Sequence, residues 1–174
     1  MQVSLKWLRD YVDVDLSPEE LGDRLTMSGL EVDSLKRIEP AFSGVRVARI
    51  VSIKPHPRAD QLSLCEVTTG DATYPIVCGA KNIHVGDIVP LAPVGAVLPS
   101  GDSIKSTRIR EEVSEGMLCS EEELGIGSDP SGIMLLPSDL PLGKGLADAL
   151  DLRDAVLDIG VTPNRSDCLS IVGV

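Results

Sequence analysis

Between Val45 and Pro137 the chain runs as short apolar stretches cut by glycine and proline. "VRVARIVSI" places apolar side chains at Val45, Val47 and from Ile50 to Ile53. "LSLCEVTTG" and "TYPIVCGA" read as a hairpin-like pair around Gly70 and Asp71. "DIVPLAPVGAVL" and "SIKSTRIRE" follow, again with Gly and Pro between them. Runs of this kind, bounded by turn residues, are strands. Several of them in succession, with one short helical patch at 120–124, predict a small β-barrel.

The five-stranded OB type fits the length of residues 45–137, and "SGIMLLP" is expected to close it. The flanks read differently. Leu5, Leu8 and Val12 fit one helical face, with Ser4 as N-cap. In "LSPEELGDRLTMSGLEV", Ser17 caps, Pro18 takes the first helical position, and Glu20 completes a capping box. Leu21 and Leu25 face inward, Gly29 supplies a left-handed stop, and a strand is expected over Glu31–Ile38. This helix–turn–helix is acidic, which argues against DNA reading. Pro40 to Gly44 reads as a linker.

After Pro141 helical spacing returns at Leu146, Ala149 and Leu150. "AVLDIGVTP" reads as a strand, and "NRSDCLSIVGV" as the first turns of a helix capped by Asn164 or Ser166. That helix reaches Val174 without a C-cap, so the sequence is expected to continue in a longer protein. The expected fold class is α+β. An OB-type barrel at 40–141 is inserted into a small discontinuous α/β domain made of 1–39 and 142–174.

Of the 174 residues, 43% are hydrophobic, enough for a buried core, and no apolar run approaches the roughly 20 residues that span a bilayer. No signal-peptide core precedes Lys6, so a cytoplasmic location and no membrane partner are expected. The net charge of −11 argues against a generic nucleic-acid binder. Its distribution is uneven. Residues 45–110 carry 8 basic and 5 acidic groups, a net +3, whereas residues 111–174 carry 3 basic and 13 acidic, a net −10. A basic island in an acidic chain is a statement about partners.

Cys65, Cys78, Cys119 and Cys168 form no CxxC pair, so they read as reduced, mostly buried thiols rather than zinc ligands. "SEGMLCSEEELG" sets Cys119 beside Ser120. A cysteine nucleophile needs a histidine base, and only His56 and His84 exist, both in loops. The carboxylates at Glu121 to Glu123 would raise the thiol pKa. Ser120 reads instead as an N-cap with Glu123 as its capping-box partner. No catalytic and no metal-ligating residue is expected here.

"VSLKWLRDYVDVDLSPEELGDRLTMSGLEVDSL" resembles the start of bacterial-type phenylalanyl-tRNA synthetase β subunits. "HPRADQLSLCEV", "IVCGAKNI" and "SEGMLCSEEELG" resemble the tRNA-binding OB domain of that family, and "DIGVTPNRSDCLSIVGV" the segment that resumes after it. The resemblance covers the chain in the family's order. It implies a ligase that joins phenylalanine to tRNA-Phe with ATP and magnesium, as a tetramer of two α and two β subunits. It also implies that aminoacylation lies in the α subunit and editing beyond Val174, so this region carries no cofactor of its own.

The basic island supplies the candidate tRNA-binding residues. Lys54, His56 and Arg58 fall after the first strand, and Lys81 and Asn82 after the third. Lys105, Arg108 and Arg110 lie on or near a later strand, followed by Ser114. Such loops border the nucleic-acid groove of an OB barrel, where Lys and Arg contact phosphates and neutral donors meet the backbone or 2′-hydroxyls. Aromatic residues are only 2% of the chain, so base stacking does not dominate. The family often has lysine at the position of Gln61, and Arg-Gly-Val where this chain has Arg110, Glu111 and Glu112. Loss of that glycine is expected to alter a turn. Two other readings stay open: a structural module without RNA affinity, and a free-standing tRNA-binding protein.

Overall fold

The computed structural model describes residues 1–174, and the chain divides into two compact units, 1–39 with 152–174, and 40–151. The first unit begins with strand β1 (Gln2–Ser4) and helix α1 (Leu5–Arg9). Ser4 caps α1 by accepting from Trp7 N at 3.1 Å. The helix stops at Arg9, leaving Val12 half-exposed rather than on the helical face.

Helix α2 (Pro18–Met27) starts on the expected capping box. Ser17 Oγ accepts from Glu20 N at 3.3 Å, and the Glu20 carboxylate accepts from Ser17 N at 3.0 Å. Such a cap contributes about 1 kcal/mol. The helix ends in a Schellman motif: Gly29 has φ +95°, Leu30 N donates to Leu25 O, and Gly29 N to Thr26 O.

Strand β2 (Glu31–Ile38) follows as expected, and strand β10 (Asp154–Gly160) inserts between β1 and β2, antiparallel to both. Ile38 and Asp154 face each other in the register. The chain therefore leaves the sheet and re-enters it at paired residues, which lets 40–151 be an insertion. Leu157 and Ile159 on β10 pack with Leu5, Leu8, Leu21 and Leu25 in this unit's core. The last segment forms two 3₁₀ turns, Ser166–Cys168 and Ile171–Gly173, instead of an α-helix. Neither Asn164 nor Ser166 caps the first turn; Ser170 caps the second through Gly173 N.

The second unit is a five-stranded antiparallel barrel, nearly closed. Its strands are β3 (Arg46–Pro55), β4 (Ser63–Thr68), β5 (Thr73–Cys78), β6 (Ile88–Pro93) and β9 (Gly116–Leu118), in the order β5-β4-β3-β6-β9. Glu115 N donates to Pro75 O at 2.9 Å, drawing the β9 end to β5. This is the OB arrangement. Alternation on β4 and β5 sends Cys65, Val67, Ile76 and Cys78 into a core shared with Ile50, Val89, Leu91 and Leu118.

The closing strand is β9 and not "SGIMLLP", which forms no strand of the barrel and adds a bridge from Leu136 to Ile88 and a bond from Met134 N to Cys119 O. Gly116 makes β9 possible, since a Cβ there would sit 2.7 Å from Ala92 O. Helix α3 (Glu121–Leu124) has the expected capping box of Ser120 and Glu123. Residues 142–151, grouped by their helical spacing with the flanking domain, pack with the barrel. Gly143 N donates to Val47 O, Val47 N to Lys144 O, and Leu146 N to Val45 O. Helix α4 (Leu146–Ala149) then buries Leu146 completely.

Candidate nucleic-acid interface

The antiparallel register fixes where the basic residues lie. Lys54, near the end of β3, pairs with Leu64 near the start of β4, and Ser63 pairs with Cys78 at the end of β5. The β3–β4 loop with Arg58 and the β5–β6 loop with Lys81 therefore leave the barrel side by side. A β-hairpin of strands β7 (Thr107–Ile109) and β8 (Glu112–Ser114) carries Arg108 and Arg110. Two contacts tie it to the β3–β4 loop. His56 Nε2 lies 3.4 Å from Ile109 O, and the Arg58 guanidinium pairs with the Glu111 carboxylate.

Lys54, Arg58, Lys81, Lys105, Arg108 and Arg110 are all exposed. Lys105 borders an open cleft of about 460 Å³ lined also by Val77, Ile104, Ile109, Met117, Ser103 and Thr107. A smaller cleft of about 170 Å³ lies over β3 and β4, where Lys54 shares the lining with Glu66 and Glu112. Glu66 accepts from Ser52 Oγ at 2.9 Å. Sequence reasoning missed Glu66, whose signal was its outward position on an alternating strand.

Three predicted contact residues have their polar atoms committed to the barrel. His56 is buried, and its Nδ1 accepts from Arg58 N at 3.1 Å. The proton then sits on Nε2, aimed at Ile109 O, which makes this ring a loop clamp. Asn82 Nδ2 donates to Ile133 O at 2.8 Å while its Oδ1 accepts from Ile133 N at 3.1 Å. That side chain pins the 131–137 segment. Ser114 is buried, donates to Gly116 O at 2.9 Å and accepts from Val77 N at 3.1 Å, and so helps close the barrel.

The turn at Arg110 and Glu111 is a two-residue hairpin turn without glycine. Ile109 pairs with Glu112, and φ is +49° at Arg110 and +78° at Glu111. Positive φ at both central residues is the type I′ signature, which favours Asn-Gly or Gly-Gly. Two L side chains there carry strain of about 1 kcal/mol or more each.

Cys119 is fully buried. Burial, reinforced by the Glu123 charge, pushes its thiol up to about 12, although a backbone hydrogen bond from Ala92 acts the other way. A thiol held protonated in this way packs and does not attack. No three His, Cys, Asp or Glu side chains are grouped to hold a metal ion. No helix is long and apolar enough to cross a membrane.

A family model described as "Putative tRNA binding domain" matches residues 45–145. The chain belongs to this tRNA-binding domain family. Its whole length is also similar to phenylalanine–tRNA ligase β subunits. It is 68% identical to that of Syntrophus aciditrophicus over 174 residues and 53% identical to that of Geobacter sulfurreducens. In both cases it spans 22% of the relative's length. Among solved structures, a MetRS-related protein from Pyrococcus horikoshii is 17% identical, with a TM-score of 0.44 over 59% of this chain and 87% of that one.

Proposed function

We propose that this chain is the N-terminal, non-catalytic region of a phenylalanine–tRNA ligase β subunit, and that its barrel contacts tRNA through phosphates. Identity of 68% along the whole chain to a relative of that name supports the assignment. The observation that carries the tRNA contact is the gathering of exposed cations on adjacent loops: Arg58 on the β3–β4 loop, and Arg108 and Arg110 on the hairpin clamped to it. Lys54, Lys81 and Lys105 extend this set. His56 holds the Arg58 loop against the hairpin, whereas Asn82 fastens the 131–137 segment and Ser114 the barrel closure.

Arginine offers a planar fork to phosphate oxygens and lysine a point charge, so recognition is electrostatic and shape-based. In the whole ligase the same reading gives an enzyme of the cytoplasm that charges tRNA-Phe with phenylalanine, using ATP and magnesium, in an assembly with α subunits. This region would add tRNA contact and architecture, with no chemical step of its own.

The test is a fluorescence-anisotropy titration of the chain with tRNA-Phe at low and moderate salt. Saturable binding is expected, with log K falling by about 0.7–0.9 per phosphate contacted for each decade of salt. Arg108→Glu should weaken it. Absence of saturable binding at low salt would overturn the RNA reading and favour a purely architectural role. Glu66 and Glu112 beside Lys54 are the observation on that side.

A further inference from the structure

We infer that Glu111 is an internal stand-in for an RNA phosphate: its carboxylate holds the Arg58 guanidinium until a phosphate displaces it, and so sets the affinity of the basic end of the barrel. This rests on the proposed tRNA contact. Three observations carry it. The partner that Arg58 meets is a carboxylate on the opposite loop, and a carboxylate presents a guanidinium with oxygen acceptors in much the same arrangement as a phosphate. The Arg58 backbone is fixed on its loop, because its N–H donates to the buried ring of His56.

The third observation is where Glu111 stands. It is the second central residue of a type I′ turn, at φ +78°, where glycine would be free of strain. A charged side chain in that position serves no turn geometry, yet it is the one that reaches Arg58. Both side chains are well exposed, at 61% and 68%, so exchanging one anion for another requires no unfolding. An ion pair this exposed is weak, which suits a contact made to be displaced.

The test is a double-mutant cycle on the whole chain, read as tRNA-Phe affinity across a salt series. Glu111→Gln should tighten low-salt binding about 1.4- to fivefold, the range of an exposed ion pair. It should also steepen the salt slope by about one phosphate's worth. Arg58→Gln should weaken binding in the native chain and should abolish the gain in the Glu111→Gln background. Glu111→Gly repeats the measurement with the turn relaxed. If native chain binds and Glu111→Gln changes nothing, or if the gain survives Arg58→Gln, the stand-in role is wrong while the RNA reading remains. If neither native chain nor Glu111→Gln binds at low salt, both fail. Binding that emerges only in Glu111→Gln would overturn the tRNA contact of the native chain, and with it the stand-in role that rests on that contact.

Discussion

Arg58 and Glu111 form an ion pair that joins the β3–β4 loop to the tip of the β7–β8 hairpin. Forty-odd residues of barrel separate these loops in sequence, and the OB closure brings them together. The pair links the two sequence features that point in opposite directions: a basic island at 45–110, and an acidic stretch that begins at Glu111 itself.

The turn at Arg110 and Glu111 gives the first prediction. Glu111→Gly removes the Cβ that makes φ +78° costly, while the lost ion pair is exposed and contributes little. Stability should rise by about 1 kcal/mol, read as a higher urea midpoint at an unchanged slope. A lower midpoint would mean that the Arg58 contact outweighs the backbone strain.

Asn82 should behave as a structural residue. Asn82→Ala leaves Ile133 N and O without their partners, at a cost of about 1–2 kcal/mol. The 126–137 segment should become the earliest site of limited proteolysis. Affinity for tRNA should hold within twofold, and a larger loss would return Asn82 to the contact surface.

The buried thiols predict an alkaline weakness. Burial raises Cys119 to about 12, with Glu123 adding to it, and burial with the neighbouring Cys78 raises Cys65 to about 11, against 9.0 for a free thiol. Both are raised in the folded chain, so their contribution is complete below pH 9. It is lost as the unfolded chain gives up protons that the folded chain keeps, between pH 9 and the folded values. Urea midpoints should fall from pH 8 to pH 10.5, and fall less in Cys119→Ala. At pH 7, iodoacetamide should label neither thiol until urea unfolds the chain; rapid native labelling of Cys119 would reopen a catalytic reading.

Asp154 ties the start of the chain to its later strand. Its carboxylate accepts from Ser4 Oγ at 2.6 Å, Lys6 N at 3.2 Å and Ala155 N at 2.7 Å. Burial alone would raise its pKa, but these hydrogen bonds outweigh burial and hold it below the usual 3.8. A lowered acid contributes stability above its unfolded pKa and loses it as pH falls through the folded one. Asp154→Ala should cost about 1–3 kcal/mol at pH 7, and the difference from native should shrink below pH 4. A cost that does not change with pH would assign the effect to packing.

Local features were legible in the chain. Both capping boxes, the Gly29 stop, strand Glu31–Ile38 and the OB-type barrel between two flanks could be read directly. Each depends on neighbours within a few residues, or on a period of two. Features that depend on distant partners came only with the fold. Strand β9 is three residues long and exists because Gly116 lets its backbone approach Ala92 O. Residues 142–151 pack with the barrel because Val45 and Val47 offer backbone partners about a hundred residues upstream. His56, Asn82 and Ser114 looked like ligands because their side chains are polar; only the fold shows those atoms spent on Ile109, Ile133, Val77 and Gly116. Charge and residue type are written along the chain, but whether a polar atom faces solvent or its own backbone is set by which loops the barrel closes against each other.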